Sequence, residues 1–325
     1  ATKIRLRKGK LPRSFITQID LENLVELSGY KIVHQSYMIY IPFSLFGIGT
    51  MLNKILKYTP LLNKLSLFSV LVLRPVKKAE KNSVSVLIPA RNEKGNIRNA
   101  LERLPELGNS KIEVIFVEGN SSDGTWEEII KVTSDPKYMD KYKLICLQQP
   151  GKGKYDAVKT GFKEATGDIL MILDADLTMP PELLPQFYQA YAEGKGDFIN
   201  GSRLVYPMEG KAMRFLNLLG NKFFAKLLSL LLEVKLSDTL CGTKVLSRED
   251  YNRVVEWRKD FGDFDPFGDF ELLFFASELK LGIINVPVRY KDRTYGSPQI
   301  NRFRDGIRLL KMSAIALWKI KFKTI

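Results

Sequence analysis

The sequence predicts an α/β protein with a mainly parallel, twisted sheet, flanking helices, a small N-terminal α/β segment and amphipathic C-terminal helices. Two observations predict the sheet. Short β-rich apolar runs alternate with amphipathic helical segments from residue 83 onward, which is the pattern of successive βαβ units. The runs are also unbroken, as in ILMIL at 169–173, and this is typical of parallel strands that are buried on both faces.

Four successive strands are predicted in this region, each followed by a helical segment. A parallel sheet places the carboxyl ends of its strands at one edge, and ligands bind in the crevice beyond that edge. The loops that follow the four strands are therefore expected to converge on one site. The predicted strands cover residues 84–90, 112–118, 142–149 and 168–174.

The N-terminal part of the chain differs from the rest, and we predict a boundary between a segment, 1–78, and a main domain, 79–325. The boundary falls in VKKAEKNS, a charged and polar stretch without periodicity that is typical of a linker. Within the segment the pattern predicts a helix over 20–30, a strand over 31–41, a helical stretch around 50–58 and a second strand over 67–75.

Composition narrows the possible functions. The formal net charge of +14 indicates an anionic partner such as nucleic acid, a phospholipid surface or a phosphorylated substrate. Cys146 and Cys241, the two cysteines, are far apart in sequence and argue against a disulfide framework or a structural zinc site. His34 is the sole histidine and lies in an apolar stretch without a nucleophile motif, which argues against a Ser-His-Asp or Cys-His triad.

Asp174-Ala175-Asp176 comes directly after a predicted buried strand. At the two-residue period of a strand both carboxylates can face the same side, where they would repel each other unless a cation lies between them. Carboxylate oxygens suit Mg²⁺ or Mn²⁺, which usually complete their coordination with substrate phosphates. The pattern alone is weak, because DFD at 263–265 repeats it, and a solvated acidic turn is the alternative.

The other loops indicate what kind of substrate the crevice takes. They lack GxGxxG and the GKS/T of a P-loop, which argues against a dinucleotide fold and a simple ATPase. The loop after the second strand offers Glu118 and Asp123, whose carboxylates can accept hydrogen bonds from a base. The glycine-rich turn after the third strand carries Lys152 and Lys154, which suit a diphosphate.

Five ordered segments carry a resemblance to a known family: VLIPARNE, VEGNSSDGTWE, GKGKYDAVKTG, ATGDILMILDADLTMPPE and INGSR. In order and spacing they resemble the family 2 glycosyltransferases with the GT-A fold, over about residues 84–320. DTLCGTKVLSRE at 238–249 and VPVRYKDRTYG at 286–296 are most similar to the dolichyl- or polyprenyl-phosphate sugar synthases of that family.

The resemblance implies a role for each matching position. Asp174 and Asp176 would form the metal and diphosphate motif, with Ala175 between them in the nucleotide-sugar pocket. The other residues of that pocket would be Pro89, Arg91, Glu93, Glu118, Asp123, Lys152 and Lys154. A planar guanidinium pairs two oxygens at once, which suits sugar and acceptor phosphates. The arginines that would face them are Arg203, Arg214 and Arg293, and the catalytic residues would include Asp176, Arg203 and Arg293.

Three positions depart from the family pattern. The family commonly has two acidic residues in the second loop, where this chain has Glu118-Gly119. The lipid-phosphate synthases often carry glutamine where this chain has Thr178, and their G-x-S-K turn is GSPQ at 296–299, without the lysine. These differences concern the acceptor more than the reaction class.

A second resemblance concerns the N-terminal segment. LSGYKIV followed by LFSVLVLRP resembles the C-terminal tail of a class I S-adenosylmethionine-dependent methyltransferase. The segment has no GxGxG loop, so it lacks the backbone that would hold the cofactor. The resemblance implies a remnant of a methyltransferase domain, and an unrelated N-terminal addition is the alternative.

Two helical stretches, 211–233 and 299–321, combine apolar, basic and aromatic residues. Neither contains an uninterrupted apolar span, and no secretory signal is expected from the basic start of the chain. Such helices fit the membrane interface, where anionic lipids attract lysines, and packing on the sheet as core elements is the alternative. We expect a cytoplasmic protein, peripheral on the cytoplasmic face of a membrane.

Together these expectations describe a metal-dependent inverting glycosyltransferase that moves a sugar from a GDP- or UDP-linked donor to a polyprenyl phosphate or another lipid acceptor. One alternative is transfer to a sugar or lipid hydroxyl, with Asp269 or Glu271 as the base, although helix capping also explains these carboxylates. Another is a non-catalytic membrane-associated module on a degenerate transferase fold. Nucleic acid is not expected, because the basic residues are dispersed and no recognition motif occurs.

Overall fold

The computed structural model describes residues 16–56, 62, 65–78, 82–108, 111–205, 215–261, 268–296 and 302–319. Contacts within the chain divide it into two units, Ala1–Val76 and Lys77–Ile325. This division falls within VKKAEKNS at 76–83, the charged stretch that separates the two patterns in the sequence.

The first unit contains the elements that its sequence predicts. After α1 (Gln18–Leu27), β1 (Tyr30–Met38) pairs antiparallel with β2 (Phe68–Pro75), and α2 (Ile48–Leu56) lies between these strands in sequence. Among its described residues, Val25 is the one large hydrophobic side chain that is buried, with 8% of its surface exposed. Whether this unit derives from a methyltransferase stays a prediction.

Seven strands form one sheet in the described part of the second unit. The strands are β3 (Val84–Ala90), β4 (Glu113–Glu118), β5 (Lys143–Gln148), β6 (Ile169–Ile172), β7 (Phe198–Ser202), β8 (Lys244–Ser247) and β9 (Ile283–Pro287). Their order across the sheet is β5-β4-β3-β6-β8-β7-β9. Only β8 runs antiparallel to its neighbours in this order, so the mainly parallel sheet is confirmed.

The four strands predicted from the sequence are all present, but the fourth is shorter than expected. β6 ends at Ile172, two residues before the predicted end. Leu173 N still donates to Leu87 O at 2.9 Å, and the chain then leaves the sheet in a turn. Asp174 and Asp176 therefore lie beyond the strand and not on one of its faces.

Helices cover both faces of the sheet. Along β3, Val86 and Ile88 belong to one hydrophobic core cluster, whereas Leu87 belongs to the other, as expected from the alternation of side chains in a strand. The first cluster packs against α3 (Ile97–Glu102), α4 (Thr125–Thr133) and α7 (Leu184–Ala192), and α5 (Pro136–Lys141) also contributes to it. The second packs against α6 (Lys154–Glu164), α8 (Phe215–Leu232), α9 (Arg248–Phe261), α10 (Asp269–Glu278) and α11 (Arg302–Leu317).

The two predicted amphipathic helices correspond to α8 and α11. Each buries one side in the second core cluster, through Leu228 in α8 and Ala316 in α11. Each also exposes large apolar side chains, among them Phe223, which is 54% exposed, and Ile307, which is 68% exposed. Within the described ranges, no helix combines the length and the apolar character that crossing a bilayer requires.

Candidate functional site

Three carboxylates and two basic side chains meet at the carboxyl edge of the sheet. Glu93 follows β3, and Asp174 and Asp176 follow β6. Arg293, beyond β9, donates from Nη1 to Glu93 Oε1 at 2.6 Å and from Nη2 to Asp176 Oδ2 at 2.5 Å. Lys154, at the start of α6, pairs with Asp174 Oδ1 at 2.7 Å. The structure thus brings together five residues that the sequence singled out from four separate loops.

The turn after β6 fixes the orientation of Asp176. Its Oδ1 accepts hydrogen bonds from Thr178 N at 3.1 Å and from Thr178 Oγ1 at 2.7 Å. An aspartate that binds the chain two residues further on closes a tight local turn, and Leu177 adopts a φ of 53° within it. The expectation that two aspartates share one strand face is therefore wrong, and a turn presents them instead.

The two aspartates also differ from the expectation in their electrostatics. The sequence predicts that a cation offsets the repulsion between them, but in the structure Lys154 pairs with Asp174 and Arg293 pairs with Asp176. Desolvation opposes ionisation of Asp174, yet its side chain keeps 32% of its surface exposed. Nearby positive charge, chiefly that of Lys154, therefore dominates and holds the pKa of Asp174 below its usual range.

The donor set fits a divalent cation that arrives together with its substrate. In the part of the chain that the structure describes, no three His, Cys, Asp or Glu side chains form a group that could hold a metal ion. Asp174 and Asp176 do supply carboxylate oxygens, and magnesium sites often combine one or two carboxylates with substrate phosphates. Lys154 and Arg293 now pair with these carboxylates, so a divalent cation held by Asp174 and Asp176 would take the place of these two basic groups.

The segment DTLCGTK, residues 238–244, lies directly against Asp174. A Cβ at Gly242 would overlap the Asp174 carboxylate and the Lys154 ammonium, so a larger residue here would have to displace these two charged groups. Lys244 is fully buried and donates through Nζ to Cys241 O. The family resemblance marked this segment, but its sequence pattern does not show how closely it approaches Asp174.

Arg203 is held in a buried ion pair with Asp238. Its Nε and Nη2 donate to Asp238 Oδ2 and Oδ1 at 2.7 and 2.9 Å, and its guanidinium carbon lies 5.2 Å from the centroid of the Tyr290 ring. Burial opposes ionisation of Asp238, but Arg203 holds the pKa of that carboxyl below its usual range. Asp238, with 0% of its surface exposed, is a residue of this region that the sequence analysis missed. The contact of Arg203 with phosphates stays a prediction.

The region that carries these loops matches a known family. Residues 85–255, which are 171 of the 325, match the model described as Glycosyl transferase family 2. The chain belongs to this family. The match begins in β3 and includes the turn with Asp174 and Asp176, so the carboxyl edge of the sheet lies inside it.

Curated family 2 relatives match the chain over part of their length. The dolichol-phosphate mannosyltransferase of Pyrococcus furiosus is 38% identical over 123 residues, which cover 38% of this chain and 33% of that protein. The undecaprenyl-phosphate 4-deoxy-4-formamido-L-arabinose transferase of Pectobacterium carotovorum is 34% identical over 116 residues, 34% of each chain. The match therefore spans about a third of the length of these relatives.

Solved structures show that the fold is the GT-A fold expected from the sequence. Glucosyl-3-phosphoglycerate synthase from Mycobacterium tuberculosis superposes with a TM-score of 0.53 and 18% identity, over 73% of this chain and 80% of that one. The mannosyltransferase PcManGT from Pyrobaculum calidifontis gives a TM-score of 0.50 and 18% identity, over 78% of this chain and 68% of that one.

Two further family 2 positions, Glu118 and Asp123, follow β4. Glu118 is buried, and its Oε1 accepts a hydrogen bond from Ser121 N at 2.5 Å. Asp123 Oδ1 accepts from Thr125 N at 3.0 Å, at the start of α4, and its Oδ2 accepts from Tyr295 of the chain beyond β9. Both carboxylates therefore bind the chain itself, and their contact with a base stays a prediction.

The remaining predicted pocket residues lie around the same edge. Pro89 is within β3, and Arg91 is exposed directly after it. Ala175 is buried in the turn after β6. Lys152 is exposed in the loop before α6, two residues from Lys154. Their contact with a nucleotide stays a prediction.

The candidate bases lie at the start of α10. Gly268, with a φ of 75°, precedes Asp269, and a Cβ at Gly268 would lie 3.0 Å from Tyr155 Cα, one residue from Lys154. The backbone of Asp269 is therefore close to the first turn of α6. Glu271 instead accepts from Arg258 Nε and Nη2 at 2.6 and 2.8 Å. This buried pair favours a structural role for Glu271, while its use as a base stays a prediction.

Arg214, the third arginine predicted to face phosphates, lies outside the described residues.

The carboxyl group of Glu93 is buried in the cleft, next to Arg293 and Asn96. Burial raises the pKa of Glu93 to about 7, although Arg293 and a hydrogen bond from Asn96 act in the opposite direction. Asp176 adds to the increase through its negative charge. Glu93 therefore titrates close to neutral pH.

Replacing Glu93 with glutamine is expected to change how stability depends on pH. The folded state keeps a proton up to about pH 7, whereas the unfolded state releases it at its ordinary pKa of 4.5. The contribution of Glu93 to the free energy of unfolding therefore falls as pH rises between these values, by about 2–3 kcal/mol, and is constant above them. Urea denaturation of wild type and Glu93→Gln between pH 4.5 and 8 measures this difference.

Glu113→Gln is the matched control for this measurement. Glu113 is also buried, but Lys143 and hydrogen bonds from Ser85 and Thr166 hold its pKa below the usual range, against the effect of burial. Its contribution is present above the unfolded pKa and is lost only at lower pH. A difference between wild type and Glu93→Gln that is constant from pH 4.5 to 8 would show that the pKa of Glu93 is not raised.

Proposed function

We propose that the protein is a metal-dependent inverting glycosyltransferase that transfers a sugar from a nucleotide-diphosphate sugar to a polyprenyl phosphate. The main support for the proposal is the presence of two ion pairs, Lys154–Asp174 and Arg293–Asp176, at the carboxyl edge of a family 2 domain. The names of the two curated relatives refer to dolichol phosphate and undecaprenyl phosphate. The two solved structures contain Mn²⁺ with UDP or GDP-Man.

The reaction would be a single displacement at C1 of the sugar. An acceptor phosphate oxygen forms the new bond to C1 as the bond from C1 to the nucleoside diphosphate breaks, and the diphosphate leaves with the electron pair. Lys154 and Arg293 are placed to exchange an aspartate oxygen for a diphosphate oxygen as negative charge develops there. A divalent cation held by Asp174 and Asp176 would neutralise further charge on the diphosphate.

The proposed acceptor requires access to a membrane surface. α8 exposes Leu219 and Phe223, and the end of α11 is followed by exposed Trp318. Lys222 and Lys226 of α8 are exposed as well. Apolar and basic side chains on one helix suit the interface of an anionic bilayer, which supports a peripheral protein on the cytoplasmic face.

Transfer to a hydroxyl is the second candidate, because the backbone of Asp269 lies close to the first turn of α6. A hydroxyl acceptor must lose a proton during attack and therefore needs a base, which Asp269 would provide. An ionised phosphate acceptor needs none. This difference separates the two candidates chemically.

The proposed function is tested in two steps. Thermal unfolding with Mn²⁺ and a panel of UDP- and GDP-sugars identifies the donor as the compound that raises the melting temperature. Transfer from that donor is then measured to a polyprenyl phosphate in anionic vesicles and to a lipid-linked sugar with free hydroxyls. No stabilisation by any nucleotide sugar would favour a non-catalytic module on this fold.

Asp269→Asn then distinguishes the acceptors. If the acceptor is a phosphate, the variant should retain most of the wild-type rate, because no base is used. If the acceptor is a hydroxyl, the rate should fall about a hundredfold or more, as expected for the loss of a general base. The variant Asp140→Asn, which alters an aspartate in α5, serves as the control.

For the first unit we propose an origin in a methyltransferase domain. The support is the succession of α1, β1 and an antiparallel β2, together with the single buried large hydrophobic side chain, Val25, among its described residues. A two-stranded sheet with so little buried apolar surface is not stable by itself in water, which is expected of part of a larger domain.

A further inference from the structure

A short segment beyond β9, residues 290–296, runs across the mouth of the cleft, and we call it the strap. Lys291 N donates to Thr178 O at 2.9 Å in the turn after β6. Thr294 Oγ1 donates to Asn96 Oδ1 at 3.4 Å, just before α3. The strap therefore spans the two neighbouring loops in which the donor is proposed to bind.

Three carboxylates of the cleft share one pattern of hydrogen bonding. One oxygen of each is used by its own loop: Glu93 Oε2 by Asn96, Asp123 Oδ1 by Thr125 and Asp176 Oδ1 by Thr178. The other oxygen of each accepts a bond from the strap. Arg293 donates to Glu93 Oε1 and Asp176 Oδ2, and the Tyr295 hydroxyl donates to Asp123 Oδ2 at 3.2 Å. On each carboxylate the strap thus binds the oxygen that the carboxylate's own loop does not use. On Asp123 it shares this oxygen with Lys94 N, which donates to Oδ2 at 3.2 Å.

Tyr295 also fills space in the cleft. Its ring lies so close to Gly95, in the loop after β3, that a Cβ there would be 2.5 Å from the ring atom Cδ2. Tyr295 nevertheless remains 36% exposed, and Gly296 follows it with a φ of 74°. The ring therefore packs against the loop on one side and is exposed to solvent on the other. The strap ends in a turn at Gly296, whose positive φ favours glycine.

We propose that the strap is a self-occupying gate, and that the nucleotide donor must displace Tyr295 from Asp123 and Gly95 in order to bind. The inference rests on the proposed function, since it assumes that these loops hold a nucleotide. In the free protein the hydroxyl and guanidinium of the strap add a hydrogen bond to each of these three carboxylates. On binding, the donor and its cation take over these oxygens, and Arg293 becomes available to the phosphates.

The gate predicts that weakening the strap tightens nucleotide binding. Tyr295→Phe keeps the ring against Gly95 but removes the hydrogen bond to Asp123. Titration calorimetry measures the dissociation constants of both proteins for UDP and for GDP in the presence of Mn²⁺. The nucleotide that binds wild type should bind this variant about threefold to tenfold more tightly. That factor corresponds to one hydrogen bond. Tyr295→Ala, which also removes the ring, should bind at least as tightly as Tyr295→Phe.

Tyr138→Phe is the matched control. The Tyr138 hydroxyl donates to Glu102 Oε1 at a distance of 2.9 Å, and this hydrogen bond lies outside the cleft. Its dissociation constant should equal that of wild type. Unchanged or weaker binding by Tyr295→Phe, when wild type binds, would overturn the gate but leave the proposed function standing. Binding by neither wild type nor Tyr295→Ala would overturn both. Binding by Tyr295→Ala alone would support the gate in its strongest form.

Discussion

Replacing Asp176 with asparagine is expected to lower sugar transfer at least about a hundredfold. The asparagine amide oxygen can still accept from Thr178, so the turn after β6 should persist. The variant loses the negative charge that pairs with Arg293 and that is proposed to bind the cation. Turnover with saturating donor and Mn²⁺ measures the effect, and the melting temperature shows whether the variant is folded.

Asp168→Asn provides a control on the same strand. Asp168 lies just before β6, at its opposite end, and its Oδ2 accepts from Ser83 N at 3.1 Å and Ser83 Oγ at 2.7 Å. Like Asp176, it accepts from one backbone N–H and one hydroxyl, although Ser83 is 85 residues away in sequence. Asp168 does not face the cleft, so its substitution should leave turnover within about twofold. If Asp176→Asn kept more than a tenth of wild-type turnover, the proposed role of this carboxylate would be refuted.

Arg203→Ala is expected to lower the free energy of unfolding by about 3–5 kcal/mol. The substitution leaves Asp238 without its charged partner at 0% exposure, and a buried unpaired carboxylate is costly. Because Arg203 depresses the pKa of Asp238, the pair stabilises the protein above the ordinary aspartate pKa of 3.8. This contribution disappears as pH falls through the lower folded pKa. Urea denaturation at pH 7 measures the loss.

Arg103→Ala is the comparison that separates burial from pairing. Arg103 pairs with Glu182 through the same Nε and Nη2 atoms, at 2.8 and 2.9 Å, but both side chains are substantially exposed. Exposed pairs contribute about 0–1 kcal/mol, so this variant should be close to wild type. Equal losses in the two variants would mean that burial of Asp238 does not determine the cost.

Much of the fold could be predicted because its signals are local. The apolar runs and the helical segments between them follow from residue periodicity, and β3 covers the residues predicted for it. The loops after β3 and β6 were placed at one edge by the geometry of parallel strands. Glu93, Asp174 and Asp176 could therefore be grouped before any contact was known.

The partners of these residues could not be predicted in the same way. Arg293 is 200 residues from Glu93 and 117 residues from Asp176 in sequence, so no local pattern reports the pairing. The sequence around Asp238 does not distinguish it from other polar loop residues, and its pairing with Arg203 is visible only in the folded structure. The sequence pattern also predicts that β6 continues beyond Leu173. The hydrogen bonds from Thr178 to Asp176 show that the chain forms a turn there instead.

The ion pairs of the cleft also affect how fast a ligand arrives. Three carboxylates face two basic groups there, and Glu93, with a pKa of about 7, is partly neutral under physiological conditions. The proposed diphosphate ligand would therefore meet little net charge at the entrance. The long-range attraction comes from the chain as a whole, whose net charge is +14, and it is screened beyond a Debye length of about 8 Å at physiological ionic strength. Added salt should accordingly slow association more than it speeds dissociation.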